Sequence, residues 1–229
     1  MTAALIDLDF FIRRYRYFHP SIDEESPEVR AKIIAHAILN HINNHLTYKD
    51  QNHTLFRIYV YDCPPLSIKH THPKTNKTID FSKTDMALFR NALHTEIKKM
   101  PLTALRLGKL DKNHIKWIIT NKKKYNKLLR GEITIDMIDE HEFKLDFQQK
   151  QVDMKIGMDI TWITLKKLVD QIILISGDSD FVPVAKLARR EGIIFVLDAL
   201  HHNVSEDLSE HIDFLRTPRL DPPSKLITL

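Results

Sequence analysis

The sequence predicts an α/β fold around a mostly parallel sheet, and three observations carry that prediction. Short apolar runs without polar alternation recur along the chain, the pattern of strands buried on both faces. Segments between them repeat their apolar residues at helical spacing. Runs and helical segments alternate, which implies right-handed crossovers and helices on both faces of one sheet.

Ala3 to Ile6 is the first strand. A helix then carries Ile34, Ile38, Ile42 and Leu46 at four-residue intervals, and Leu55 to Tyr61, rich in β-branched and aromatic residues, is the second strand. Ser82 with Asp85 reads as a capping box ahead of Met86, Phe89, Leu93 and Ile97, and Leu102 to Leu107 is a weaker strand. The stretch from Gly108 to Lys150 breaks the rhythm with mixed charge and two short strand patterns, Glu132 to Ile135 and Phe143 to Phe147. It reads as an arm inserted into a single domain spanning residues 1–216. A helix from about Asp153 to Val169 follows, in which Met158 and Trp162 stand one turn apart and are expected in the core. Gln171 to Ile175 and Ile193 to Leu197 are fully apolar strands, separated by a helix from Phe181 to Glu191 that Gly192 stops with a left-handed cap. Ser205 caps a last helix carrying Leu208 and Ile212, and the tail 217–229, with Pro218, Pro222 and Pro223, is expected to be irregular.

At 229 residues and 43% hydrophobic, the chain can bury one such core. No run approaches the roughly 20 apolar residues of a membrane span, and Asp7 and Asp9 come too early for a secretory leader. A cytoplasmic protein without a membrane partner is the expectation. Cys63, the lone cysteine, has no intramolecular disulfide partner and no adjacent base, so it reads as a structural thiol. A net charge of +4 suits a polyanionic partner. The positive charge gathers at Lys98, Lys99, Arg106, Lys109, Lys112, Lys116, Lys122, Lys123, Lys124, Lys127 and Arg130, with Trp117 and Tyr125 among them. That mixture can track phosphates and stack a base; it is equally the composition of a solvated helix face.

The acids stand where open α/β sheets bind their ligands. Asp7 and Asp9 follow the first strand, Asp62 the second, Asp178 and Asp180 the fourth, and Asp198 ends the fifth. One acid there is an ordinary helix cap. A converging set is different, because two carboxylates about 4 Å apart repel by roughly 4 kcal/mol at an effective dielectric near 20. Such a set calls for a cation or bound protons, and oxygen-only ligands favour Mg²⁺ or Mn²⁺. Such an ion neutralises a phosphodiester and lowers the pKa of an in-line water. No Gly-rich phosphate loop follows any strand in a chain with 5 glycines, which argues against an NTPase or a dinucleotide enzyme.

Three stretches resemble the NYN family, the bacterial and eukaryotic branch of the PIN-like nucleases sometimes described as LabA-like. They are Leu5-Ile6-Asp7-Leu8-Asp9-Phe10-Phe11, Gln149-Lys150-Gln151-Val152-Asp153-Met154-Lys155-Ile156-Gly157-Met158-Asp159 and Ile175-Ser176-Gly177-Asp178-Ser179-Asp180-Phe181-Val182-Pro183. The similarity runs from the first strand to about Phe214. It implies a PIN-like sheet and a divalent-metal endoribonuclease, with Mg²⁺ or Mn²⁺ held by Asp7, Asp153, Asp178 and Asp180 and with RNA as partner. Asp9, Asp159, Ser176 and Ser179 would lie around that set. Asp159 is turned about 120° from Asp153 on the helix and ranks as structural. Lys122, Lys123, Lys124, Lys127, Arg130, Lys150 and Lys155 are the residues expected to meet RNA. The family usually carries glycine and asparagine where this chain has Leu8 and Phe10. Gly157, one turn after Asp153, is expected to admit a close neighbour.

Two other readings compete. Asp7-Leu8-Asp9 also resembles the nucleophile motif of haloacid-dehalogenase-like phosphatases, where Asp7 would attack phosphorus and Asp9 serve as acid and base, although no threonine follows Asp9. A non-catalytic binder of RNA or protein, keeping the pocket for structure, is favoured by Leu8 and Phe10. The residues carry no base-specific code and do not separate RNA from DNA. The inserted arm offers a surface to a second copy, so a homo-oligomer is a further expectation. His41 and His45 stand one helical turn apart, but no neighbouring acid completes a zinc set and both are expected to face solvent. His201 and His202, after the fifth strand, lie nearer the expected site.

Overall fold

The computed structural model describes residues 1–48 and 53–222, except for the side chains of Lys112 and Asn113. Residues 223–229 of the expected irregular tail, Pro223 included, lie outside that range. The chain runs β1 (Thr2–Asp7), α1 (Leu8–Phe18), α2 (Pro27–Leu46), β2 (Leu55–Asp62), β3 (Lys69–Thr71), β4 (Thr78–Asp80) and α3 (Asp85–Lys99). It continues through β5 (Thr103–Leu107), β6 (Lys109–Ile119), α4 (Lys122–Leu129), β7 (Phe143–Lys150) and α5 (Val152–Leu165). It closes with β8 (Gln171–Ile175), α6 (Val182–Arg190), β9 (Ile194–Asp198), α7 (Glu206–Glu210) and β10 (Phe214–Leu215).

Six strands form one parallel sheet in the order β10-β9-β8-β1-β2-β5. The chain builds outward from β1 through β2 to β5, then returns to the other side of β1 and builds through β8 and β9. Strand order therefore reverses between β1 and β8, and a reversal opens a crevice beyond the carboxyl ends of the two strands. Successive strand residues point to opposite faces, which creates two cores. Ala4, Ile6, Val60, Ile173 and Ile175 pack with Phe11, Ile34, Ile38 and Leu93 of the first three helices. Leu5, Tyr61, Ile172, Leu174 and Phe195 pack with Ile156, Ile160, Ala185 and Leu208 of the last three. Apolar residues on both faces are why these strands lack polar alternation, and each fully buried Leu or Ile contributes roughly 1.5–3 kcal/mol.

Several local expectations are corrected. Helix α3 is capped by Thr84, whose Oγ1 accepts from Ala87 N at 3.3 Å, while Ser82 sits in a preceding 3₁₀ turn held by Asp80. The predicted capping box is thus shifted by two residues. Helix α5 ends at Leu165, short of Val169, where Lys167 adopts φ +50°. Met158 and Trp162 lie on solvent with Met154 and Leu165, because Ile156, Ile160 and Ile163 form the opposite, buried stripe. A helix apolar on both sides gives no periodic signal of which side is inward. Glu132 to Ile135 form no strand; a 3₁₀ turn occupies Ile135–Met137. Gly192 does stop α6, at φ +80°.

The segment between β5 and α5 forms its own antiparallel ribbon, β6 against β7, with α4 between them. At the far end of the ribbon Lys124 clamps α4 to Asp139 at 2.9 Å and Glu142 at 2.8 Å. Trp117 Nε1 donates to Thr71 O at 2.9 Å and ties the ribbon to the β3–β4 hairpin. Gly108 stands at the root. A Cβ there would meet Lys150 O at 2.7 Å, Val152 Cγ2 at 2.8 Å and Cys63 Sγ at 2.9 Å, so only glycine lets the roots of the ribbon close on the end of β2. Burial first, then Asp62, pushes the Cys63 thiol up to about 11, which suits a packing role and not a nucleophile.

Candidate active site

Asp7 is the last residue of β1 and the cap of α1, its Oδ1 accepting from Phe10 N at 3.1 Å. Asp178 lies just beyond β8 and caps the 3₁₀ turn that leads into α6, its Oδ1 accepting from Asp180 N at 2.9 Å. The bland role of each acid as a cap is therefore real. It occupies one oxygen and leaves the other, Oδ2, with no protein donor among the described residues. Asp153 stands in the first turn of α5, reached through Gln151 at φ +74°. A non-glycine residue in that region costs roughly 1–2 kcal/mol, and it delivers the helix start to the crevice.

These acids act on one another. Burial, then the charges of Asp9 and Asp153, push Asp7 up to about 6 against the Phe10 N–H and Arg13. Burial, then Asp178 and Asp180, raise Asp153. Four carboxylates from three separate segments thus share one region at the reversal point. None of the four forms a salt bridge among the described residues.

The remaining acids at the strand ends are each engaged by side chains of their own, so the expected convergence is narrower than six. Arg90 Nη1 binds Asp62 at 2.8 Å and Nη2 binds Asp9, while His94 Nε2 meets the other Asp62 oxygen at 2.7 Å. Asp9 also pairs with Arg13 at 3.2 Å. Asp159, ranked as structural or lying around the acids, accepts from the Tyr61 hydroxyl at 2.8 Å and pairs with Arg106 at 3.4 Å. Asp198 is fully buried and meets His41 Nε2 at 2.6 Å and His45 Nε2 at 2.7 Å. Both histidines are buried, contrary to the expectation that they face solvent, and Asp198 is the acid that sequence spacing missed. It lies 153 residues beyond His45, so only the fold brings them together.

Around the four acids, Ser176 is buried and its Oγ accepts from Asp178 N at 3.3 Å, whereas Ser179 is exposed. Leu8 joins the core. Phe10 covers Gly177, where an added Cβ would stand 2.7 Å from the ring, and the ring meets His202 edge-on at 6.1 Å. His201 packs against Phe18 instead. Gly157 has only Val184 near it, at 3.8 Å, an ordinary contact that an alanine would accept, so the expected close approach is absent. Of the lysines and arginines expected to meet RNA, Lys124, Arg130 and Lys150 are paired with acids of the ribbon, and Lys122, Lys123, Lys127 and Lys155 form no salt bridge among the described residues.

The NYN domain family matches residues 92–213, more than half of the chain, and that span holds Asp153, Asp178 and Asp180. The chain belongs to the NYN family. Its NYN match begins within α3 and leaves β1, with Asp7, outside it. PIN-like nucleases of this kind typically use divalent metals, and an oxygen-only, mutually repelling set of carboxylates fits such an ion. A search of curated proteins returns no match. Among solved structures, a protein of unknown function from Vibrio parahaemolyticus is 14% identical, covers 93% of this chain and 89% of its own, and superposes with a TM-score of 0.38. No described helix is long and apolar enough to cross a membrane.

Proposed function

We propose that this NYN protein is a divalent-metal-dependent endoribonuclease whose site is formed by Asp7, Asp153, Asp178 and Asp180. One observation carries the reading: among the described residues, and of the acids at the carboxyl ends of the strands, these four alone share a region with no basic partner bonded to them. Such an arrangement holds charge that the fold itself leaves unbalanced, and a cation relieves it. Mg²⁺ or Mn²⁺ held there would supply charge neutralisation at a phosphodiester and a water of lowered pKa.

The chain's own contribution is preorganisation. The Phe10 and Asp180 amides fix one oxygen each of Asp7 and Asp178, so the second oxygen of each is aimed without reorganisation. Exposed Lys122, Lys123 and Lys127 on α4 offer phosphate contacts on the ribbon. A phosphatase of the haloacid-dehalogenase type is disfavoured, because its acid–base residue would be Asp9, which is committed to Arg90 and Arg13. A non-catalytic RNA binder has one feature in its favour, the apolar Phe10 lid over Gly177.

The test is cleavage of a panel of labelled RNAs by the wild type with Mn²⁺, Mg²⁺ or EDTA, beside Asp178→Asn. Internal cuts that need metal and vanish in the folded variant support the nuclease. RNA bound but uncut under every metal supports the binder.

A further inference from the structure

The buried cluster of His41, His45 and Asp198 has no part in the nuclease reading. His41 and His45 occupy successive turns of α2, and Asp198 closes β9, so three donors from opposite ends of the chain meet inside the protein. Their ligand atoms, the two Nε2 and Asp198 Oδ2, all lie within 4.8 Å of one another, and all three residues are buried. The two imidazoles converge on the same carboxylate oxygen, at 2.6 and 2.7 Å, with their planes 88° apart. The other oxygen, Oδ1, accepts from Leu200 N at 2.8 Å, which fixes the carboxylate with Oδ2 toward the histidines.

We infer that His41, His45 and Asp198 form a transition-metal site of the Zn²⁺ class that pins α2 to the end of β9. Two imidazole nitrogens and one carboxylate oxygen suit Zn²⁺ and also accept Co²⁺. Bond lengths of about 2.0–2.1 Å put neighbouring ligand atoms of a tetrahedral site roughly 3.4 Å apart. Opening the contacts of 2.6 and 2.7 Å to that spacing needs side-chain shifts of under about 1 Å, within the reach of rotamer adjustment. Charge points the same way. Without an ion, Asp198 is a buried carboxylate whose side-chain partners among the described residues are the two imidazoles, with no Lys or Arg; Arg216, the cation acting on His45, stacks on Tyr48 at 4.6 Å and makes no salt bridge among those residues. The donor set differs from the acidic pocket in kind, since imidazole ligands select against Mg²⁺.

The full chain, carrying no polyhistidine tag, is dialysed into metal-free buffer and assayed for bound metals by plasma mass spectrometry. Stoichiometric zinc or another first-row metal is expected in the wild type and in an Asp178→Asn/Asp180→Asn variant, and is expected to be lost in His45→Gln. The wild type stripped with a strong chelator is then titrated with Co²⁺ alone, and visible d–d absorption with a rise in Tm is expected. That titration needs no variant, so misfolding of His45→Gln does not rescue the proposal. It is overturned if purified protein holds no metal and Co²⁺ gives neither absorption nor stabilisation. Metal retained by His45→Gln but lost from the double aspartate variant overturns it too, by assigning the ion to the acidic pocket.

Discussion

Replacing Asp7 with asparagine tests the electrostatic argument directly. The wild-type carboxyl is pushed from an ordinary 3.8 to about 6, chiefly by burial and then by Asp9 and Asp153. The folded protein therefore binds the Asp7 proton more tightly than the unfolded chain does. Stability from this group is fully present below about pH 4 and is lost as pH rises through about 6. At about 1.4 kcal/mol for each pKa unit, the ionised carboxylate costs the metal-free fold on the order of 3 kcal/mol at pH 7.5. Asparagine removes the charge, keeps the cap to Phe10 N, and is as good a capping residue as aspartate. In EDTA at pH 7.5, Asp7→Asn should unfold roughly 6–12 °C above the wild type, given 2–4 °C per kcal/mol for a chain of this size. The gap should close near pH 4, where the wild-type group is protonated, and Mn²⁺ should stabilise only the wild type appreciably. Calorimetry or urea titration at the two pH values measures it. A variant less stable than the wild type at pH 7.5, or a gap independent of pH, would refute the claim that Asp7 is held at a cost to the fold.

The other two predictions concern the groups around the site. Arg90→Met leaves Asp62 and Asp9 without their shared guanidinium and should destabilise by about 3–5 kcal/mol, read from urea midpoints, while His41→Gln far from it should not alter that loss. Gly177→Ala drives a methyl into the Phe10 ring and should cost roughly 1–3 kcal/mol; Gly177→Ala with Phe10→Leu should recover most of it, and additive losses in that double-mutant cycle would show that the two residues do not press on each other.

The sheet was legible because its strands are buried on both faces and its helices alternate with them, a pattern written in single residue types. The candidate site was legible in part for the same reason: Asp7, Asp178 and Asp180 follow recognisable strands, and the cap geometry at Asp7 and Asp178 is local. What the sequence could not show was pairing over distance. Arg90 answers both Asp9 and Asp62 from another helix, so their apparent membership of the acidic cluster ends once the fold closes. His41 and His45 read as surface residues because their acid lies past the far end of the chain's own helical period. The ribbon strand β6 was missed since polar residues run through it, and Met158 and Trp162 were assigned to the core because an apolar residue on an already apolar helix carries no direction.

The long-range pairs also explain why the acidic pocket can exist. Ionised carboxylates ring the carboxyl ends of one sheet, and their combined repulsion would oppose folding if all were left bare. Arg90 and His94 absorb one side of that ring, and the two histidines of α2 enclose Asp198 on the other. Among the described residues only the centre, where β1 and β8 part, is left without a bonded basic partner, and under the proposed function the unpaired charge is confined to the place where an ion would sit. Removing the flanking Arg90 should therefore weaken the fold, whereas removing the Asp7 charge should strengthen it and, under the proposed function, abolish cleavage, and that opposition of sign separates a site from a scaffold.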